Sequence, residues 1–285
     1  MAAMPPLPPP SFDILGGPHP ASPVILAVPH AGRDYPLAMR ANLRVPVERL
    51  LLLEDRHADS LALAARGDEW TIIAHRARAW IDLNRSEMER DPLLDHGARP
   101  GLAPASSAKV RNGLGLIPRR TSATGDIWAR RLEIEDVEAR IRHEHRPYHA
   151  AIGEALQAAH ARFGVAVLLD VHSMPSLGRD GAQIVIGDRF GRSAAARMSA
   201  RIEAAARDAG LRVAANAPYP GGHTLDRHAD LRRGVHAVQL EIDRSLYLDA
   251  AHDRVGPGFD ATARLLRDII AALTDEALPQ AIAAE

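Results

Sequence analysis

The sequence predicts an α/β fold, with a mainly parallel mixed sheet flanked by helices. Short runs rich in β-branched residues alternate with longer segments rich in Ala, Arg and Glu, which is typical of a largely parallel sheet. The chain has 285 residues, 46% of them hydrophobic and 25% charged, so it is long enough to bury a substantial core. It contains no internal repeat, which argues against a solenoid or propeller.

The strand predictions depend on short apolar runs with β-branched or aromatic residues. In chain order these runs are PVILAV, WTIIA, RAWID, VAVLLD, AQIVIG, LRVA and VHAVQLEI, at 23–28, 70–74, 78–82, 165–170, 182–187, 211–214 and 235–242. Between them, the Ala/Arg/Glu-rich segments predict helices at 47–66, 128–162, 190–209 and 258–276. Pro147 predicts a break or kink in the second of these helices, because proline donates no backbone hydrogen bond.

Two segments fall outside this alternation. The start of the chain, MAAMPPLPPP, lacks the features of a signal peptide. We therefore predict a cytoplasmic protein. The proline-rich composition of the first residues predicts a flexible leader over 1–20. The rest of the chain, 21–285, is predicted to form a single catalytic domain. Residues 91–125 are rich in Gly, Pro, Ser and Arg. They form either a plain surface loop or a loop over the active site, where Arg111 would meet an anionic substrate.

Composition narrows the function classes. The net charge of −1 and an aromatic content of 4% argue against binding to nucleic acid or to an anionic membrane surface. No apolar run is long enough to span a bilayer. Cysteine is absent, so a bound metal would need ligands from His, Asp or Glu.

Histidines follow two of the predicted strands. His30 comes after PVILAV, and His172 comes two residues after Asp170 at the end of VAVLLD. In α/β sheets ligands bind at the carboxyl ends of the strands, which favours a metal site here. Alternation along a strand puts Asp170 and His172 on one face, where Asp170 either orients a metal-bound imidazole or is simply a turn acid.

The remaining site candidates are less specific. A third, carboxylate ligand would come from EDRHAD (54–59), whose spacing does not choose between its acids. Asn84 and Arg85 follow a predicted strand and are able to hold a carboxylate. Glu241 is either an edge-protecting charge or a general base for a metal-activated water. In YPGGHTLDRH (219–228), Arg227 is a further possible substrate contact.

In this order, PHAG, DRHADSLA, IDLNR, DVHS, GGHTLDRH and HAVQLEI together resemble the N-formylglutamate amidohydrolase family, over about residues 22–250. The resemblance implies a zinc-carboxypeptidase and aspartoacylase architecture, of the phosphorylase-like kind. It also implies Zn²⁺ ligands at His30, Asp55 and His172, with Glu54 the competing carboxylate. Glu241 is similar to the catalytic glutamate, and Asn84 and Arg85 match the carboxylate-binding pair. One departure is Arg33, which replaces the glutamate of the carboxypeptidase HxxE motif.

The resemblance implies hydrolysis of N-formyl-L-glutamate to formate and L-glutamate, as a step in amino-acid catabolism. The partner would be a small anionic N-acyl amino acid, with one carboxylate bound by Asn84 and Arg85. Arg111 and Arg227 are candidates for binding a second carboxylate. Fe, Co or Mn are able to occupy a similar site in place of zinc. The alternatives are a related hydrolase of another N-acyl amino acid or a peptide C-terminus, or a non-catalytic binder of small anions. The sequence does not specify the oligomeric state.

Overall fold

A computed structural model describes residues 11–99 and 108–282 of the chain. The strands are β1 (Phe12–Leu15), β2 (Val24–Val28), β3 (Thr71–Ala74), β4 (Arg120–Thr121), β5 (Gly125–Asp126), β6 (Ala166–Met174), β7 (Ile184–Gly187), β8 (Val213–Ala215) and β9 (Val235–Asp243). The α-helices are α1 (Leu37–Arg40), α2 (Ala58–Ala65), α3 (Ala108–Arg111), α4 (Ile134–Arg140), α5 (Arg146–Phe163), α6 (Ala196–Asp208), α7 (His223–His228) and α8 (Phe259–Ile282). Short 3-10 helices occupy Val47–Leu53, Leu231–Arg233 and Arg244–Leu246, and a π-helical turn spans Ile141–His145.

Seven strands form the central sheet in the order β1-β3-β2-β6-β9-β7-β8. The inner strands β3, β2, β6 and β9 are parallel, β1 is antiparallel to β3, and β7 is antiparallel to β9. β4 and β5 make a separate two-stranded ribbon. The predicted α/β fold with a mainly parallel mixed sheet is therefore confirmed.

Both faces of the sheet are buried, because alternate residues of each inner strand pack against different helices. Val167, Leu169 and Val171 of β6 belong to one core cluster, together with α2, α6 and α8. Leu168, in the opposite phase, belongs to a second cluster with α5 and α7. Among the described helices, none combines the length and apolar character needed to cross a membrane.

Two predicted elements differ from the structure. Residues 78–82 form turns and extended chain in place of a strand, although the carbonyl of Leu116 accepts a hydrogen bond from the backbone of Asp82. The helix predicted at 47–66 is divided by a loop, where His57 has a φ of +59°. This left-handed conformation cannot continue a helix.

Pro147 lies in the first turn of α5, two residues after the π-helical turn Ile141–His145 that joins α4 to α5. The chain keeps right-handed helical dihedral angles across this junction, so the predicted break does not occur. The irregularity beside Pro147 is the π-helical turn itself, in which the backbone N–H of Arg146 donates to the carbonyl of Ile141.

Of the predicted leader, residues 1–10 lie outside the described residues. The flexible stretch predicted to continue to residue 20 differs from the structure, because Phe12–Leu15 pair with β3 as the edge strand β1. Within the predicted loop 91–125, residues 100–107 are not described. The remainder is mostly turns, and it holds α3 and β4.

Candidate metal site and substrate cavity

The candidate site lies at the carboxyl ends of β2, β6 and β9, on the sheet face that packs against α5 and α7. On this face the apolar alternation gives way to polar residues toward each strand end. In β6, Leu168 is followed in phase by Asp170 and His172, and in β9 Ala237 is followed by Gln239 and Glu241. The parallel pairing sets His172 directly beside Glu241.

His30, His172 and Asp55 converge at this edge, all of them buried. Oδ2 of Asp55 lies 3.1 Å from Nδ1 of His172 and 3.6 Å from Nδ1 of His30. The two imidazole rings are 4.8 Å apart between centroids. One ligand atom from each residue lies within 4.8 Å of the others, which is close enough to share one ion.

A carboxylate holds the far nitrogen of each ring. Asp170 accepts a hydrogen bond from Nε2 of His172 at 3.0 Å, and Asp82 accepts one from Nε2 of His30 at 2.7 Å. This pairing turns both Nδ1 atoms toward Asp55, and such carboxylates raise the basicity of a ligating imidazole. The orientation of His172 by Asp170 agrees with the sequence prediction. Sequence reasoning missed Asp82, although it is part of the IDLNR motif.

Asp55 faces the histidines, whereas its neighbour Glu54 does not. The backbone at Glu54 is extended, so consecutive side chains point in opposite directions. Glu54 accepts hydrogen bonds from Tyr35 and Arg56. The structure therefore brings Asp55, and not Glu54, to the two histidines.

The other oxygen of Asp55 is held by groups that the sequence did not single out. Arg244 donates to Oδ1 at 3.1 Å and also donates to the hydroxyl of Ser173 at 3.1 Å. Ser173 in turn donates to the same carboxylate oxygen at 3.3 Å. Arg244 directly follows β9, and this position beyond a strand end is the signal that could have found it.

Proton affinities at this site are strongly perturbed. Burial acts to lower the pKa of His172, but Asp170 and Asp55 outweigh it and hold that pKa well above its usual value. Burial acts to raise the pKa of Asp55, but its hydrogen bond with His172 and the proximity of His30 keep it well below its usual range. Without a metal, a proton on His172 thus balances part of the negative charge of Asp170 and Asp55. A bound metal cation would replace that proton.

The residues present fit a divalent metal. Nδ1 of His30 is buried and has no hydrogen-bond partner, which is unfavourable unless something binds there. Two imidazoles and one carboxylate form a donor set that zinc accepts while leaving a position open for water.

Glu241 lies beside these donors and is 7% exposed. Burial raises the pKa of its carboxyl group to about 7. Gln239 donates a hydrogen bond to Oε1 at 2.8 Å, so one oxygen is held and the other has no side-chain donor among the described hydrogen bonds. A carboxyl group with a pKa near neutrality is suited to general acid–base chemistry.

Asn84 holds three elements together. Its Oδ1 accepts from the backbone N–H of Thr224 at 3.0 Å, and its Nδ2 donates to Gln239 at 3.0 Å. A Cβ at Gly222 would lie 2.3 Å from Oδ1 of Asn84, so the close approach requires glycine at 222. The side chain of Asn84 lines the cavity but is largely occupied by protein partners.

A cavity of about 300 Å³ opens over the site. Arg85 lines it and is buried, and its guanidinium donates to the carbonyls of Leu114 and Asn84. Desolvation lowers the pKa of Lys109 to about 8, with Arg85 as a contributing positive neighbour. The charged side chains of the wall are four cations and two carboxylates: Arg78, Arg85, Lys109, Arg244, Asp55 and Glu241. With Glu241 ionised, the cations that line the wall outnumber its carboxylates by two, and Asp82 behind the wall pairs with Arg78 at 2.9 Å. The remaining positive charge favours an anionic ligand.

Two predicted substrate contacts do not reach this cavity. Arg111 at the end of α3 and Arg227 on α7 are exposed, and neither lines the cavity. Both point to solvent from short helices, and we correct their assignment accordingly. Arg78, Lys109 and Arg244 line the cavity instead. Sequence alone gave little sign of Arg78, which lies in a turn, or of Lys109, which lies in the short helix α3.

The α/β fold and the convergent His, Asp and Glu side chains define a candidate metallohydrolase. Residues 22–248 match the family model for N-formylglutamate amidohydrolase, and the chain belongs to that family. It is 28% identical over 249 residues to an N-formylglutamate deformylase from Pseudomonas aeruginosa, and 31% identical over 235 residues to one from Pseudomonas putida. Each alignment covers 80% of this chain and 82% of the relative.

A solved structure agrees with this assignment. The crystal structure of an N-formylglutamate amidohydrolase from Ralstonia eutropha superposes with a TM-score of 0.85 at 31% identity. The superposition covers 95% of this chain and 99% of that one. A protein from Agrobacterium tumefaciens, at 18% identity and a TM-score of 0.58, shares the fold.

Proposed function

We propose that this protein is a metal-dependent N-formyl-L-glutamate deformylase, which hydrolyses the formamide bond to release formate and L-glutamate. The observation that carries the proposal is the convergence of His30, His172 and Asp55 beside Glu241, on the floor of a cavity with surplus positive charge. The relatives named as N-formylglutamate deformylases support the choice of substrate.

His30, His172 and Asp55 would hold the metal, with zinc the first choice and another divalent ion the alternative. When bound, the ion supplies Lewis acidity, which lowers the pKa of water and polarises the formyl carbonyl. Asp82 and Asp170 hold the proton of each neutral imidazole on Nε2, so that the lone pair of each Nδ1 faces the metal position. Arg244 keeps Asp55 ionised and in place.

Glu241 is the general base in this mechanism. Its carboxylate accepts a proton from the attacking water and then delivers a proton to the nitrogen of the departing glutamate. The hydrogen bond from Gln239 fixes one carboxylate oxygen, so the other is directed at the reacting centre. Burial raises the pKa of Glu241, which strengthens it as a proton acceptor.

The cationic wall selects the substrate. N-formyl-L-glutamate carries two carboxylates, and the excess of cations over carboxylates among the lining residues favours such an anion. Arg85 is the best-placed contact, because its described hydrogen-bond acceptors are two backbone carbonyls and its ion pair with Asp82 is long, at 3.6 Å. Lys109 supplies a second cation at the rim of the cavity.

Assays of released formate and of released free amino acid, on metal-stripped protein with and without added Zn²⁺, test this function. We expect turnover of N-formyl-L-glutamate that depends on the metal and exceeds turnover of N-acetyl-L-glutamate and of N-formyl-L-leucine. Metal-restored protein that releases no formate, but hydrolyses another N-acyl amino acid, would overturn the substrate assignment. Turnover that persists in stripped protein would overturn the metal dependence.

A further inference from the structure

A second group of histidines lies on the opposite side of residues 83–85 from the candidate metal site. His145 ends the π-helical turn, His149 lies on α5, and His223 and His228 lie on α7. Ring centroids in this group are 4.5 Å apart for His145 and His149, and 5.3 Å apart for His149 and His223. One ring nitrogen from each of these three lies within 4.8 Å of the others.

Backbone carbonyls fix the tautomers of two of these rings. Nε2 of His145 donates to the carbonyl of Arg85 at 2.8 Å, and Nε2 of His149 donates to the carbonyl of Leu83 at 2.9 Å. A carbonyl only accepts hydrogen bonds, so both Nε2 atoms carry the proton and both Nδ1 atoms carry a lone pair in the neutral ring. This is how ligating histidines are oriented in metal sites.

Two nitrogens of the group are buried without a partner. Nδ1 of His145, a residue that is fully buried, has no hydrogen-bond partner, and neither does Nε2 of His223. Nδ1 of His149 lies 2.9 Å from Nε2 of His228, which can donate to it. Buried nitrogens that lack partners are uncommon in folded proteins, and here two of them belong to one cluster.

The charge state of the group suits a metal. Burial lowers the pKa of every member, to about 4 for His223 and about 3 for His228, so the rings are neutral at physiological pH. Glu87 lies 3.6 Å from Nδ1 of His145, with its charge shared by an ion pair to Arg146 at 2.8 Å. The positive charge of Arg227 opposes this, but its side chain is exposed and screened by water.

We propose that His145, His149 and His223 bind a second divalent ion of the imidazole-preferring kind, such as Zn²⁺. Binding replaces the hydrogen bond from His228 to His149. The site is structural: the ion would join α5 to α7 behind the segment that carries Asn84 and Arg85. It would thereby fix the N-terminus of α7, where the backbone of Thr224 donates to Asn84.

The test measures zinc per chain in tag-free, full-length protein after stripping and equilibrium dialysis against Zn²⁺. We expect about two zinc ions per chain in the wild type and about one in His223→Phe, which keeps a ring but removes the donor nitrogen. We also expect about one in the His30→Ala/His172→Ala double variant, and none when His223→Phe is added to it. His143→Ala is the matched control, because His143 is exposed on the same π-helical turn.

Co²⁺ provides an independent readout, since its visible absorption reports nitrogen coordination. The double variant should show the absorption of a three-nitrogen site, and His223→Phe should abolish it. The second site would be overturned if the wild type binds one zinc ion, and that ion is lost in His172→Ala but kept in His223→Phe. The proposed function would then remain intact. Equal zinc loss in His143→Ala and His223→Phe would overturn it as well, because the binding would then be a surface effect.

Discussion

Residues 83–85 separate two histidine clusters that are built differently. Around His30 and His172 the far ring nitrogens meet carboxylates, Asp82 and Asp170. In the cluster of His145, His149, His223 and His228, two of the far nitrogens meet backbone carbonyls. The carboxylates raise the pKa of His172 well above its usual value, whereas burial lowers the pKa of every ring in the second cluster.

The difference separates two roles for buried histidine. A carboxylate-backed pair with Asp55 is rich in negative charge, so a dication is strongly attracted and can polarise a substrate there. The second cluster, whose rings donate to backbone carbonyls, is electrically neutral, and its histidines are not among the residues that line the cavity. An ion bound there would connect α5 to α7 without reaching the substrate.

The largest expected effect comes from removing a ligand of the first cluster. His172→Ala should lose the catalytic metal and lower turnover by more than about 10³-fold, because Lewis acidity supplies several kcal/mol. Metal content and formate release measured on the same preparation check this. His143→Ala, on the surface, should keep both, and full metal occupancy in His172→Ala would remove that residue from the ligand set.

Glu241→Gln should separate chemistry from metal binding. The variant keeps the shape of the side chain but cannot accept a proton, so kcat should fall by about 10² to 10⁴-fold while metal content stays unchanged. Parallel kinetics and elemental analysis make the distinction. An unchanged kcat would exclude Glu241 as the base.

Asp170→Asn should act on the first cluster alone. Losing the carboxylate behind His172 should weaken metal affinity at that site by about 10 to 100-fold. The second cluster, oriented by backbone, should be unaffected. Competition titrations with a zinc chelator would resolve the two affinities, and an equal loss at both sites would show that the clusters are not independent.

Arg85→Ala should raise KM for N-formyl-L-glutamate by roughly 10 to 100-fold, since a charge-assisted hydrogen bond contributes about 1.5 to 3 kcal/mol. Arg111→Ala is the matched control and should leave KM unchanged, because Arg111 lies outside the cavity. If KM rises equally for an N-formyl amino acid without a side-chain carboxylate, Arg85 binds the α-carboxylate. An unchanged KM for N-formyl-L-glutamate would remove Arg85 from the substrate site.

The second cluster also predicts a pH effect on the stability of the metal-free protein. The folded-state pKa values of about 4 for His223 and about 3 for His228 lie below the usual 6.5. The unfolded chain therefore binds more protons, and the free energy of unfolding falls as the pH drops below about 6.5 toward 4. Each histidine contributes on the order of 1 kcal/mol per pH unit. Urea titrations across this range should show a shallower slope in His223→Phe, and an identical slope would contradict the assignment.

Much of the site follows from local patterns in the sequence. Apolar runs that end in PHAG, DVHS and QLEI predict strands with polar residues at their carboxyl ends, which the structure confirms for β2, β6 and β9. Alternation places Asp170 with His172, and Gln239 with Glu241, on common faces. These features depend on neighbours a few residues apart, which the sequence displays directly.

Other features were decided only by the tertiary structure. The choice of Asp55 over Glu54 depends on contact with His172, and the orientation of His30 depends on Asp82. The cationic wall likewise brings together Arg78, Lys109 and Arg244. Each of these contacts joins segments that are far apart in the chain. The second histidine cluster likewise joins α5 to α7. Periodicity determines which face of an element a side chain occupies. Strand register and helix packing determine what it meets there, because those contacts depend on the whole core packing together.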